Sequence, residues 1–243
     1  MDKTPNDPNT TPPDDDFDAR VAGLAALGEP VRRALYRFVV GQDRAVSRDE
    51  AAEGVGVPRH VAKFHLDRLE EDGLLEAEFS RPPGKRGPGA GRPAKRYRRS
   101  AREVAVSLPD RQYEVAGRLL AAAITKAASE GISVEQALGR EAAGLGRQLG
   151  DEAWKRQGPD DEDSALSIVS QVLANHGYEP RLKADRLTLG NCPFHALARD
   201  YTQLVCGMNL DIVRGLLDRL PESDLEARLD PAPDRCCVTV CRR

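Results

Sequence analysis

Residues 47–75 read SRDEAAEGVGVPRHVAKFHLDRLEEDGLL, and their spacing decides the fold of the first half of the chain. Ser47 and Glu50 form a capping box, in which each side chain satisfies a backbone N–H that the first helical turn leaves free. The short helix so opened ends near Gly54, and Gly56 makes the turn. Pro58 opens a second helix, because a missing N–H costs nothing in a first turn. That helix runs to Asp72, where Gly73 supplies a left-handed stop. Helix, short turn, helix is the helix-turn-helix arrangement. At about 100° per residue, Ala62, Leu66 and Leu69 fall on one face of the second helix and pack inward. His60, Lys63, Phe64 and Asp67 fall on the opposite face, Arg59 flanks it near the N-terminus, and Arg68 adds a further cation. Such a face offers donors to base edges and phosphates. It also reads as an ordinary solvated helix face with an exposed Phe64.

Working outward, residues 1–16 are rich in Pro, Thr and Asp and cannot bury apolar surface, so they read as a disordered tail. Helical spacing begins at Phe17 and Val21 and continues through Leu24 and Leu27. Pro30 then opens a helix whose stripe is Val31, Leu35, Phe38 and Val39, ended by Gly41. On the other side, Leu74–Phe79 reads as a strand, Tyr97 lies on a returning strand, and a last strand is expected around Val104–Val106. The segment between the first two is Pro- and Gly-rich, and Arg81–Arg99 holds eight basic residues and no acidic one. It reads as a flexible cationic loop. Gly91-Arg92-Pro93 is slim enough for a minor groove, where Arg is the favoured side chain. Lys85, Arg86, Arg92, Lys95 and Arg96 join Arg59, His60, Lys63, Phe64 and Arg68 as candidate contacts to double-stranded DNA.

The 243 residues carry a formal net charge of −3, an average over unlike parts. No run approaches the length of a membrane span, and residues 1–16 lack the apolar core of a secretory signal, so a cytoplasmic protein without membrane contact is expected. A hinge falls at Leu108–Pro109, closing a DNA-binding domain over residues 17–107. Tyr113, Ala116, Leu119, Leu120, Ala123 and Ile124 then make an amphipathic helix within residues 108–130, which reads equally as a homodimer helix or as an intrachain core helix. Residues 131–243 read as a mixed α/β sensor domain. Helices are expected at Ser133–Leu149 and Ser164–His176, and a hairpin at Arg181–Gly190. A helix follows with Leu197, Tyr201, Leu204 and Val205 inward, ending at Cys206-Gly207. Another runs through Ile212 to Leu220. Strands are expected near Ala227–Leu229 and over Cys236–Cys241. The fold class is α+β.

All five cysteines lie in the last quarter of the sequence. Clustered thiols in a cytosolic chain point to metal, cluster or redox chemistry more than to structural disulfides. On the last strand Val238 and Val240 face the core and Cys236 shares their side, while Cys237, Thr239 and Cys241 point the other way. Cys192 and Cys206 bracket one helix, and the final strand can fold back beside them. Soft thiolates suit an iron–sulfur cluster first and zinc second. Thiol redox sensing and inert buried cysteines stay open as readings. A thiol hydrolase using Cys192 and His195 lacks an accompanying oxyanion motif, phosphate loop or carboxylate pair, so a binding protein is expected and not an enzyme.

Leu27-Gly-Glu-Pro-Val-Arg32, Gly56–Leu75 and Gly91-Arg-Pro-Ala-Lys-Arg-Tyr97 resemble, in that order, the first helix, the recognition helix and the wing of ArsR-like winged-helix transcription regulators. Asn191-Cys192-Pro193, Cys206 and Cys236 resemble the cysteine pattern of SufR-type iron–sulfur-sensing repressors and their actinobacterial relatives. The resemblance implies a 4Fe–4S or related cluster that tunes operator binding. The doublet Cys236-Cys237 leaves the third ligand open, and His195, Cys241, an acid or a partner chain would complete the shell. A regulator answering to a small organic ligand, with structural cysteines, is the alternative.

Overall fold

The computed structural model describes residues 13–80, 93–156, 164–220 and 224–243. These fall into two units, Met1–Val106 and Ser107–Arg243. Lys85, Arg86, Arg92, residues 1–12 of the expected tail and most of the basic loop lie outside the described residues. Among the described residues no helix is long and apolar enough to cross a membrane.

The first unit is built where local signals are strongest. Helix α1 (Pro13–Ala26) opens ahead of Phe17, so residues 13–16 of the expected tail are helical. Helix α2 (Pro30–Val40) is capped by the Glu29 side chain, which accepts from the N–H groups of Val31 and Arg32. Strand β1 (Val46–Ser47) leads into α3 (Arg48–Val55) through the expected capping box. Gly56 turns at φ 73°, a left-handed conformation that glycine adopts without a Cβ penalty. Helix α4 (Arg59–Glu71) then buries Ala62, Leu66 and Leu69 completely. Strands β2 (Leu75–Ser80) and β3 (Ala94–Arg99) pair antiparallel, and β1 adds to β3, giving the sheet order β1-β3-β2. Tyr97 on β3 is fully buried against this core.

The expected strand at Val104–Val106 does not form. Its alternation is present, with Val104 and Val106 half-buried and Ala105 exposed, but no described strand pairs with it. Alternation without a ladder partner leaves an extended segment. Val104 instead packs beside Leu74 over Gly23 of α1.

The second unit begins with α5 (Tyr113–Glu130), the helix read as a linker or dimer element. Ala116, Leu119, Ala123 and Ala127 bury one of its faces in the second unit's core. It packs on α6 (Val134–Arg156), which is followed by α7 (Ala165–Ala174), capped by Ser164. Strands β4 (Pro180–Lys183) and β5 (Arg186–Leu189) form the expected hairpin. Helix α8 (His195–Asp200) stops at Tyr201, and α9 (Thr202–Leu217) runs on. Strands β6 (Leu225–Leu229) and β7 (Val238–Arg242) complete an antiparallel sheet of order β4-β5-β7-β6.

Two expectations fail in this unit. The helix break falls at Tyr201, which is exposed, and not at Gly207, which lies inside α9. A helix-interior glycine costs about 1 kcal/mol, less than the packing of an apolar face recovers. The last strand starts at Val238 and not at Cys236, so Cys236 and Cys237 precede it; Thr239, facing away from Val238 and Val240, is also fully buried.

Helices α6 and α9 meet with no side chain between them. A Cβ on Gly215 would lie 2.2 Å from the Ala143 carbonyl oxygen, and one on Gly146 would lie 2.0 Å from that of Ile212. Backbone cannot yield as a flexible side chain does. Gly215→Ala is therefore expected to destabilise the second unit by about 1–3 kcal/mol, read as a lower denaturant midpoint at unchanged slope. An unchanged midpoint would contradict the close crossing.

Candidate nucleic-acid face and thiol array

Helix α4 leaves His60, Lys63 and Phe64 of its outer side exposed, whereas Asp67, expected beside them, is largely covered. His60 is exposed, and Phe64 is 64% exposed with its ring edge-on to His65 at 5.2 Å. Lys63 remains largely in solvent and pairs with Asp67 one turn on, at 3.4 Å. Arg59 is exposed and hydrogen-bonds Asp49 of α3. Arg68 pairs with Glu71 at 3.3 Å and Asp72 at 3.1 Å. Where both partners are exposed, as in Arg59–Asp49 and Arg68–Glu71, such pairs are worth little.

Lys95 and Arg96 stand differently. The Lys95 ammonium donates to Asp67 at 3.0 Å and to Glu70, and lies 5.1 Å from the centre of the Tyr97 ring. Arg96 donates to the Ala45 carbonyl at 3.2 Å and to Glu50 at 3.3 Å. Both side chains are about four-fifths covered, at 20% and 22% exposure. They brace β3 against the helices, because the acids that meet them come from α3 and α4.

The centre of this bracing is Asp67. Tyr97 donates its hydroxyl to Asp67 at 2.5 Å. Arg48 donates to the Tyr97 oxygen at 3.0 Å and to Asp67 at 3.2 Å. Burial pushes the Asp67 carboxyl up, but the hydrogen bonds from Tyr97 and Lys95 outweigh it and hold the group at about 2. Burial likewise works against the charge on Lys95, yet Glu70 and Asp67 hold its pKa above the usual lysine range. The sequence reading missed Arg48 and Tyr97 as partners of Asp67, since they lie on three separate elements. The one available signal was an acid among the cations of the outer face.

In the second unit, four of the five cysteines come together. Cys192 lies in the loop between β5 and α8, Cys206 in α9, and Cys236 and Cys237 just before β7. Cys192, Cys206 and Cys236 are buried, and Cys237 is half-buried. Their thiols lie close enough to act on one another's protonation, Cys192 with Cys236, Cys236 with Cys237, and Cys237 with Cys206. The neighbouring Cys236 thiol and burial push the Cys192 thiol far up. Cys236 is drawn down by Cys192 but pushed up by Cys237 and burial, to about 11. Burial raises Cys206. Among the described residues no group of three or more His, Cys, Asp or Glu side chains is arranged to hold a metal ion. His195 is exposed, and the half-buried Cys241 meets the Glu226 carbonyl at 3.9 Å; neither belongs to this cluster.

Polar side chains surround the array. Asn209, 1% exposed, donates its amide N–H to Cys236 Sγ at 3.1 Å. Its oxygen accepts from the Tyr178 hydroxyl at 2.5 Å, which fixes the amide's orientation. Arg111 donates to Asn191 at 2.5 Å and to the Cys192 carbonyl at 2.9 Å, holding that loop. Asn209 was legible in principle: it sits four residues from Val205 and from Val213 on the buried stripe of α9, where an amide needs a partner.

Residues 27–78 match the model of a family described as a helix-turn-helix domain. No curated protein and no solved structure matches the chain. The match spans α2 to β2 and supports a DNA-binding transcription regulator. The second unit lies outside it.

Two measurements check this geometry. Asp67→Asn leaves Lys95 and Arg48 short of an anion and is expected to cost about 1–3 kcal/mol at neutral pH. A carboxyl depressed in the folded state stabilises above its unfolded pKa of about 4. The gap between wild type and variant should therefore close as pH falls from about 4 to about 2, and a gap that persists there would contradict the network. In metal-free protein, Cys192, Cys206 and Cys236 should resist iodoacetamide at neutral pH until the chain is unfolded, since the thiolate is the nucleophile. Rapid labelling of all three in the folded state would contradict their placement.

Proposed function

We propose that this chain is an ArsR-like winged-helix transcription regulator, acting as a repressor. In this reading it binds double-stranded DNA as a homodimer and answers to a soft-metal centre held by Cys192, Cys206, Cys236 and Cys237. One observation carries the reading: four cysteines from three chain segments cluster within the second unit. That donor set fits an iron–sulfur cluster, as the resemblance to SufR-type repressors implies, and zinc second. When bound, such a centre supplies sulfur–metal bonds that tie the three segments together and a local charge.

The chain's own residues prepare for it. The four thiols release their protons on ligation, which makes uptake pH-dependent. The Asn209 N–H favours thiolate at Cys236, and Tyr178 keeps the amide nitrogen, not its oxygen, toward the sulfur. Arg111 keeps the Cys192 loop in register.

In the first unit, the exposed side of α4 enters the major groove. His60 and Lys63 reach base edges and phosphates, and Phe64 meets a thymine methyl. Arg59 and Arg68 take phosphates. Lys85, Arg86 and Arg92 supply the wing, while Lys95 and Arg96 hold its strand to the helices. Two copies present two α4 helices to half-sites about 34 Å apart. A coupling of about 1–3 kcal/mol between the thiol centre and this spacing changes affinity roughly 5- to 150-fold.

The test starts from anaerobically purified protein and a randomised duplex library. Bound iron and sulfide, visible absorbance and a selected palindromic site are expected, with affinity changing on chelation by the stated factor. Arg92→Ala should weaken all sites and flatten the salt dependence, while Lys63→Ala should change the selected sequence. Protein without iron, sulfide or zinc, whose affinity ignores chelation, would overturn the sensor. An inability to enrich any duplex would overturn the DNA reading.

A further inference from the structure

Helices α6 and α9 are in backbone contact at Gly146 and Gly215, but between the first turns of α6 and the first half of α9 a cleft of about 410 Å³ opens. That volume lies within the range of small-molecule sites. Its floor is Leu138 and Met208, both 2% exposed. Two glycines make the room. A Cβ on Gly207 would meet nothing within 4 Å, so open space stands directly over the α9 backbone there. A Cβ on Gly139 would lie 2.9 Å from Asp211 Oδ2, so the Asp211 carboxylate reaches across from α9 to the bare backbone of α6.

Asp211 is the unusual group. It is half-buried in the wall of the cleft and has no hydrogen bond or ion pair among the described residues. The charge of Arg214 acts on it only through space, and burial raises its pKa. Other part-covered acids of the chain are tied: Asp67 to Tyr97 and Lys95, Glu50 to Arg44 and Ser47, Asp230 to Arg235. Glu135 at the cleft's rim uses its carboxylate on its own N–H and on Ser133. A part-desolvated carboxylate with no partner costs stability, and a cationic donor removes that cost. A neutral or anionic ligand does not.

We propose that this cleft binds a small organic cation. Its ammonium head sits against Asp211, and its apolar body lies over Leu138, Met208 and the uncovered backbone at Gly207. Gln203 at the mouth offers a second polar contact for a longer ligand. The site uses no cysteine and its reading does not rest on the metal reading, although Gly207 directly follows Cys206 on α9.

The experiment uses the full chain, with calorimetric titration and thermal melting against butylamine, hexylamine and octylamine, and with 1-hexanol and hexanoate as matched controls. The amines should bind one per chain and raise Tm, hexanol should bind at least roughly tenfold more weakly, and hexanoate should not bind. Asp211→Asn should lose affinity for the amines roughly tenfold or more. It should also melt at or above the wild-type temperature without ligand, because it removes a part-buried charge that has no hydrogen-bond partner. Gly207→Leu fills free space on a helix, so it should fold normally and abolish binding. The proposal is overturned if no amine gives saturable binding, if hexanol equals hexylamine, or if Asp211→Asn or a folded Gly207→Leu binds as wild type does.

Discussion

Where α6 crosses α9 there is no side chain to adjust. Gly146 and Gly215 bring the two backbones together, with the Ala143 and Ile212 carbonyls in the positions that any Cβ would need. This contact sets where α9 runs, and α9 carries much of what distinguishes the second unit. Cys206 meets the other thiols from it, Asn209 reaches Cys236 from it, and Asp211 leans over Gly139 from it. Cys236 and Cys237 lie just before strand β7, whose Val238 and Val240 are fully buried, and Cys192 lies in the loop after β5. One helix and two loops anchored by the sheet therefore bring the thiols together.

The first unit rests on a different device. Its apolar core is ordinary, but β3 is held to α3 and α4 by charge. Asp67 accepts from Tyr97, Arg48 and Lys95, while Glu50 takes Arg96 and also closes the capping box with Ser47. The arrangement separates the cations of this region into two kinds. Those facing the helices position the wing strand, and those on the open side of α4 stay largely in solvent in pairs with nearby acids.

What the sequence discloses follows the range of the interaction. The capping box at Ser47, the turn at Gly56 and the inward stripe of Ala62, Leu66 and Leu69 depend on neighbours within one or two turns, and all are legible residue by residue. The helix that continues through Gly207 is not, because a local stop signal is overridden by packing along the whole of α9. Lys95 and Arg96 look like wing cations until their acids arrive from 25 and 46 residues away. The alternation places Thr239 opposite Val238 and Val240 but cannot show that this side is buried too. The thiol array is intermediate: the sequence names Cys192, Cys206, Cys236 and Cys237, but their loose spacing cannot show that all four come together. Asp211 carries no sequence signal, since an acid on a helix is commonplace until its surroundings show that it has no partner.

The central claim is that four cysteines of one chain, and not a mixture of cysteine with His195 or an acid, form a single soft-metal centre. X-ray absorption of protein loaded with one equivalent of zinc tests it most directly, because zinc reports the donor set without redox chemistry. The account predicts a first shell of sulfur alone at about 2.3 Å, with one sulfur lost in Cys237→Ser. A shell containing nitrogen or oxygen in the unaltered chain, or zinc removed by simple dialysis, would contradict it.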